Sequence, residues 1–418
     1  MNLYAIAWEP RTDNLGDDLR VLAASRLLPR VDLALNVNRL DEGIVDEGKL
    51  NKDMPLLAED DRVVTILSGP LLQRGVHWPP SEPISPVCVG VHVSEEDAWG
   101  LRISELSGAG KAYLEGCAPI GCRDERTARH MESLGIPHEL TACLTLTLER
   151  PEGVAEDLPY VCCVDVPESV SGLLEEFASG VGMSVKKMTH RLDEVDPDFK
   201  RRMHRAEEVV KTYAGAHFVV TRRLHCAMAC LAVGTPVIML YNHSYEDLTR
   251  FAPMDRMMHI RPVEEFVTAV RENGFPVRWK NPEGVDAWRA KLQESVRKGI
   301  ADAEKRPQPI VSRQEAAEWR RFRLERMAEV GEAKLLRLEQ ANYDALHAKF
   351  SLIMKEDALK SLLWPLLHEP EIIKALQRID AKRGKARKKK NVQGEEEAPV
   401  ELRQQIEEAL KDLGWPAL

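Results

Sequence analysis

Short apolar runs alternate with amphipathic stretches from the start of the chain to about residue 300, and no other feature limits the fold so strongly. Each apolar run is short enough for a buried strand, and the stretches between them are long enough for the crossover helix that parallel strands require. "LYAIAW" (3–8) leads through a loop into "GDDLRVLAASRLL" (16–28), where Asp17 and Asp18 suit the first turn of a helix and Pro29 ends it. "RVVTILSG" (62–69), "PVCVGVHVS" (86–94) and "CAPIGCRD" (117–124) read as further buried strands, and "ERTARHMESLG" as a helix closed by Gly135. A second series runs through "YVCCVDV" (160–166), "GMSVKKMTH" (182–190), the helix "DFKRRMHRAEEVVKTYAG" (198–215) and "AHFVVT" (216–221). The fold class is therefore α/β: an N-terminal Rossmann-like domain over 1–150 and a C-terminal one over 151–305, facing each other across a cleft. Open sheets of this kind bind ligands beyond the C-terminal ends of their strands, so polar residues placed just after strands are the ones to weigh.

Residues 306–418 differ. Glycine nearly vanishes and Ala, Glu, Leu, Arg and Lys dominate, which predicts a helical appendage; its run "KRGKARKKK" (382–390) reads as a basic, solvated linker. Trp319, Phe322, Leu324, Met327, Leu335, Leu336, Leu338 and Tyr343 are too many large apolar groups for a free tail. They are expected to pack on the flank of the second α/β domain or on a partner, either another copy of the chain or an assembly factor.

Composition narrows the function. A formal net charge of −9 argues against a nucleic-acid partner and makes any anion site a local one. The eight cysteines are scattered without metal spacing, and two are adjacent in "YVCCVDV", which predicts small buried hydrophobes in a reducing compartment and no metal. Cys226 and Cys230 share a helix face but have no ligand partners at zinc spacing. "MNLYAIAWEP" lacks a basic head and breaks at Pro10, so it reads as a strand rather than a signal peptide, and the longest apolar run is cut by Gly234, Thr235 and Pro236. No membrane span and a cytoplasmic protein are expected, with room to work at the inner face of the membrane.

The stretch "TRRLHCAMACLAVGTPVIML" (221–240) carries the chemistry. Arg222, Arg223 and His225 fall where a strand hands over to a helix N-terminus, an end that already bears partial positive charge. Cations placed there disfavour the fold unless an anion or a carboxylate joins them. A guanidinium grips phosphate or carboxylate in a two-pronged fork, and an imidazole exchanges protons near neutral pH. An interdomain ion pair to one arginine, beside a structurally satisfied histidine, is the alternative reading of the same residues.

"AHFVVTRRLHCAMACLAVGTPVIMLY" resembles the signature of the polysaccharide pyruvyl transferase family, and three further stretches match in order: "DNLGDDL" (13–19), "GCRDERTARHMESLGIP" (121–137) and "ACLTLTL" (142–148), the last read as a strand. The resemblance covers roughly residues 1–270. It implies two Rossmann-like domains in the glycosyltransferase B arrangement and transfer of a pyruvyl group from phosphoenolpyruvate to a saccharide or lipid-linked glycan, with no cofactor. It further implies that Arg123, Arg223 and His225 hold the donor, with Arg222 beside them, and that the first domain serves the acceptor. Two positions depart from the pattern: Thr141 stands where many members have an aspartate, and "YNHSYED" (241–247) where many have a lysine, with Arg250 and Phe251 nearby as substitutes.

The implied reaction protonates the methylene carbon of phosphoenolpyruvate, adds one sugar hydroxyl to the neighbouring carbon, expels phosphate and closes a cyclic ketal with a second hydroxyl. His225 is expected as acid, and Arg123 and Arg223 as clamps for donor and departing phosphate. Asp17 and Asp124 are base candidates that serve equally well as helix caps, and Asn14 and Gly16 would let a sugar approach the backbone. The rivals are a glycosyltransferase holding a nucleotide sugar in the same cleft, which the absence of G-x-G-x-x-G disfavours, and a non-catalytic scaffold whose helical tail recruits a partner.

Overall fold

The computed structural model describes residues 1–50, 61–72, 77–96, 102–242, 248–275 and 280–341. It holds two parallel sheets. The first has the order β2-β1-β3-β4-β5-β6, with β1 at Asn2–Trp8, β2 at Leu33–Asn36, β3 at Arg62–Pro70, β4 at Ile84–His92, β5 at Ile120–Cys122 and β6 at His138–Leu140. The second has the order β11-β10-β9-β7-β8, with β7 at Tyr160–Val164, β8 at Ser184–Met188, β9 at Val219–Thr221, β10 at Val237–Tyr241 and β11 at His259–Pro262. Every pairing within the two sheets is parallel, as strands buried on both faces require. The strand order reverses between β1 and β3 in one sheet and between β7 and β9 in the other. These are the two points where helices leave on opposite faces and open a crevice.

Three helices fill the space between the sheets: α1 (Leu15–Leu27), α5 (Phe199–Gly215) and α6 (Leu224–Ala232). Leu19 and Leu22 of α1, Ala206 and Val210 of α5, and the small-residue run Cys226–Leu231 of α6 belong to one continuous apolar cluster that reaches both sheets. Fully buried Cys226 and Cys230 are packing residues there, and all eight cysteines are free and buried. At the centre of the cluster lies an ion pair. The Arg202 guanidinium donates from Nε (3.1 Å) and Nη2 (2.6 Å) to the Asp18 carboxylate, and from Nη1 to the Glu9 and Pro10 carbonyls. Both side chains are almost wholly buried, and the pair ties α5 to α1. The outer faces are covered by α2 (Gly108–Gly116) and α3 (Glu125–Ser133) on the first sheet and by α4 (Glu168–Gly180) and α7 (Val263–Asn273) on the second.

The C-terminal elements depart from the sequence grouping. Helix α8 (Val285–Ala303), placed with 151–305 by sequence, lies on the first sheet: Gly299 meets Val87 of β4, and Ser85 Oγ donates to the Ala303 carbonyl at 2.7 Å. Helix α9 (Arg313–Ala341) begins on the first domain, not on the flank of the second. Trp319 is buried over Gly110 of α2, Ile310 sits over Gly116, and Arg326 pairs with Glu105 at 3.0 Å. Large apolar groups settle where glycines leave a groove on α2. Phe322 and Leu324 stay exposed. The chain divides into compact units at Met1–Met327 and Ala328–Leu418; in the latter, helix is described through Ala341. The side chains of Leu335, Leu336 and Leu338, and Tyr343 and the basic run 382–390, lie outside the described residues.

Candidate active site

The two switch points face each other. The loop entering α1 pairs with the loop leaving β8: Leu15 N–H donates to the His190 carbonyl (2.8 Å) and Leu192 N–H to that of Asp13 (2.7 Å), around a bridge between Asn14 and Arg191. This brings the N-terminus of α1 beside the N-terminus of α6.

Helix α1 is conventionally closed. Asn14 Oδ1 accepts the Gly16 N–H at 3.1 Å, and Asp17 accepts the Thr12 hydroxyl at 2.8 Å. Helices α3 and α5 carry aspartate caps in the same way, Asp124 and Asp198. Helix α6 differs: its first turn follows Arg223, and no side chain caps it. The same lack of a side-chain cap is found at α2, α4, α7 and α8, but only at α6 do arginines and a histidine stand beside the free N–H groups among these helices' first turns.

His225 stands on that first turn. Its Nδ1 lies 3.2 Å from Thr145 Oγ1 and 3.4 Å from Cys143 Sγ, both in the segment the sequence reading took for a strand. That segment is a buried 3-10 turn over Leu144–Thr147. Ala142 turns the chain at φ 63°, and the threonine hydroxyls bond to Leu144 O and His225 instead of flanking a ladder. Burial, then the positive charges of Arg123 and Arg20, hold the His225 imidazole well below its ordinary pKa, against the opposing pull of Asp17. His225 is thus a neutral imidazole near neutral pH. Gly16 is not the open backbone expected for a sugar: a Cβ there would lie 2.9 Å from His225 Cδ2 and 3.1 Å from its Cβ, so the glycine exists to let the imidazole sit on α1. Asn14 likewise is spent on the cap and on the bridge between loops.

Arg223 donates from Nε to Asp165 Oδ2 at 2.6 Å across the β7–β9 switch point. Asp165 follows β7 with φ 52° and also accepts the Thr189 hydroxyl and the His190 N–H. Burial raises its pKa, but the Thr189 and His190 hydrogen bonds and Arg223 outweigh it, leaving a committed carboxylate. This ion pair lies within the second sheet's own domain and not between domains, and the guanidinium stays half-exposed. Arg222 is half-buried, and its Nε has no partner.

Arg123 enters from β5. Its side chain is almost fully buried, donates to Asp124 at 3.1 Å, and its field reaches both His225 and Cys143. Asp124 is a helix cap rather than a free base: Oδ1 accepts the Thr127 N–H (2.9 Å) and hydroxyl (2.8 Å), and Oδ2 faces His92 Nδ1 at 2.8 Å. Burial pushes this carboxyl up, but His92, Arg123 and the Thr127 N–H prevail and hold it at about 2. Asp17, beside His225 and 3.5 Å from Arg20, keeps a place in the site.

Sequence reasoning missed Arg20, His92 and Asp165. Arg20 lies one helical turn beyond Gly16; its Nη1 bonds the Ser68 carbonyl and hydroxyl at the end of β3, over Gly69, whose φ of 75° and missing Cβ leave room for the guanidinium. His92 and Asp165 end β4 and follow β7, the positions that strand-end reasoning singles out. Thr141, at the departure from the family pattern, is buried and pins β4 to β5 through Gly90 N and Cys122 O. Arg250 stacks over Phe251 and adds its charge beside Arg123 and His92; residues 243–247 lie outside the described residues. Among the described residues, Asp41, Glu42 and His77 gather three ligand atoms, but Arg39 and Arg320 engage both carboxylates.

Two parallel α/β sheets whose switch points meet define the fold, with Arg20 and Arg123 within electrostatic reach of His225. Residues 66–244 match the model of the polysaccharide pyruvyl transferase family, the family the sequence resembles, and the match spans β3 through β10 with Arg123, Arg222, Arg223 and His225 inside it. No curated protein matches the chain. Among solved structures, it is similar to UDP-GlcNAc 2-epimerase of Methanocaldococcus jannaschii in complex with UDP-GlcNAc and UDP, at 12% identity and TM-score 0.34, over 71% of this chain and 99% of that one. A functionally uncharacterised Klebsiella pneumoniae protein follows at 11% and 0.33, over 59% and 87%. The Escherichia coli heptosyltransferase WaaC with ADP follows at 12% and 0.24, over 65% and 98%. The fold rests on the two sheets themselves. Among the described residues, no helix is long and apolar enough to cross a membrane.

Proposed function

We propose that the chain transfers a pyruvyl group from phosphoenolpyruvate to two hydroxyls of a glycan, forming a ketal and releasing phosphate. The observation that carries this reading is the uncapped N-terminus of α6, flanked by Arg222, Arg223 and His225 and faced by Arg123. Phosphoenolpyruvate places a carboxylate and a phosphate on a three-carbon frame, which suits helix N–H groups and guanidinium forks arrayed over a small volume. The donor's own charge completes the acid. It offsets Arg123 and Arg20 and raises the His225 pKa, so the proton needed at the methylene carbon is loaded only when the donor is bound. Arg123, buried and fixed by Asp124, holds charge as phosphate departs. The acceptor is a glycan with a suitably spaced pair of hydroxyls approaching from the first domain.

The glycosyltransferase alternative makes a different demand on the second domain, a carboxylate for ribose hydroxyls; Asp165 is the nearest candidate and is engaged by Arg223, Thr189 and His190. A thermal-shift comparison separates the readings, because a ligand at about 100 times its Kd stabilises by about 2.7 kcal/mol. Phosphoenolpyruvate should raise the Tm. Stabilisation by uridine or guanosine diphosphate sugars, with none by phosphoenolpyruvate, refutes the proposal.

A further inference from the structure

The pyruvyl-transfer reading needs a base for the acceptor hydroxyls, and both carboxylates suggested by sequence are engaged as cap or partner. His92 occupies the right position with the right support. It ends β4 on the C-terminal edge of the first sheet, half-buried, with Nδ1 2.8 Å from Asp124 Oδ2. Asp124 is itself immobilised by the Thr127 N–H and hydroxyl and by Arg123. An ionised carboxylate only accepts, so it fixes the proton of a neutral imidazole on Nδ1 and leaves a lone pair on Nε2. Nε2 makes no hydrogen bond among the described residues.

We infer that His92, oriented by Asp124, is the general base that deprotonates the acceptor hydroxyl. This rests on the pyruvyl-transfer reading. Its step balances: the hydroxyl proton passes to His92 Nε2, the oxygen's electron pair forms the C–O bond at the central carbon of the donor, and the methylene carbon takes the proton held by His225. Expulsion of phosphate then breaks the bond between the central carbon and the bridging oxygen, phosphate leaving with the proton from His92 Nε2, and the second hydroxyl adds to that carbon as its own proton passes to the freed Nε2. The division of labour follows from position, since Arg123 lies within electrostatic reach of both histidines, with His92 on the acceptor-side domain and His225 on the donor side.

The groups facing His92 are Asp124, Arg123 and Arg250, with His130 of α3 also in range. Burial first, then Arg123 and Arg250, keeps its pKa below the ordinary value against the upward pull of Asp124. The unprotonated form therefore prevails at neutral pH, and a base of this kind is lost as pH falls through its pKa. Asp124→Asn removes the upward pull and shifts that acid limb to lower pH, besides releasing the tautomer. A merely structural histidine would leave that acid limb unmoved.

The test uses the full chain with 15N-labelled histidine, His92→Gln supplying the assignment, and long-range 1H–15N spectra as readout. Phosphoenolpyruvate titration and phosphate release with methyl glycosides bearing a 4,6-diol complete it. The inference expects an Nδ1–H tautomer for His92, donor affinity in His92→Gln within about threefold of wild type, and phosphate release slowed by about 10² to 10⁴. An Nε2–H tautomer, or near-wild-type release by His92→Gln, overturns it. Absence of phosphoenolpyruvate binding by the wild type instead overturns the functional reading on which it stands, and His92 then loses its role with it.

Discussion

The buried pair between Asp18 and Arg202 offers a calculable test of how the two sheets are held. Arg202 has no exposed surface, and its guanidinium is satisfied by Asp18 and by the carbonyls of Glu9 and Pro10, 5.3 Å from the centre of the Trp8 ring. Asp18→Asn leaves that charge with no counterion in an apolar cluster, which typically costs about 3 to 5 kcal/mol. Burial raises the Asp18 pKa even with Arg202 in contact, which indicates that desolvation consumes much of the attraction. Replacing both partners by Asp18→Leu with Arg202→Met should therefore recover most of the loss. The assay is urea unfolding of the four proteins as a double-mutant cycle, with a coupling energy of about 2 kcal/mol or more expected. Single variants within about 0.5 kcal/mol of wild type, or losses that simply add, would refute the claim that this pair locks α1 to α5.

Gly16→Ala should leave the fold intact, cost about 1 to 3 kcal/mol through overpacking, and cut turnover by displacing His225, whereas the same change at Gly172 of α4, where a Cβ meets nothing, should spare turnover. Arg223→Lys should weaken phosphoenolpyruvate binding more than it slows bound donor, because a point charge does not replace a fork; the KM-against-kcat split reads this. Donor binding near neutral pH should take up more protons in wild type than in His225→Gln, seen as a buffer-dependent calorimetric heat. The sign follows from a free-state pKa below the ordinary value that rises in the complex, so the His225 contribution to affinity is present at lower pH and lost as pH climbs through the bound-state pKa. A chain ending at residue 305 should be destabilised in urea unfolding, since it strips Ile310, Val311 and Trp319 from the first domain's core.

The central strands were legible because both their faces are covered, which writes near-continuous apolar runs such as "RVVTILSG" and "PVCVGVHVS". The edge strands β2, β6 and β11 were not: "LALN", "HEL" and "HIRP" are three or four residues long, too short to carry a period, and the last two are also partly exposed. "ACLTLTL" misled because alternating threonine mimics a strand, while its hydroxyls serve a 3-10 turn and His225. In the site, Arg123, Arg222, Arg223 and His225 could be read from one string and one helix start. Asp165 and His92 were hidden because their meaning comes from neighbours 58 and 32 residues away in the chain, which only the topology brings together. Asp124 was seen, and its dual character as cap and imidazole partner emerges only once β4 and β5 are side by side. The packing of α9 was out of reach because the groove that receives Trp319 is written as glycines in α2, some two hundred residues earlier.

The most direct measurement of the central claim follows the donor's own atoms. Phosphoenolpyruvate labelled with 13C at its central carbon is incubated with the full chain and a set of glycans bearing paired hydroxyls, and 13C and 31P spectra are recorded together. The account predicts that the labelled carbon moves from the vinylic to the ketal region as inorganic phosphate grows in equal amount, and that Arg123→Met and His225→Gln suppress both signals. Unchanged phosphoenolpyruvate beside consumption of a nucleotide sugar would contradict it.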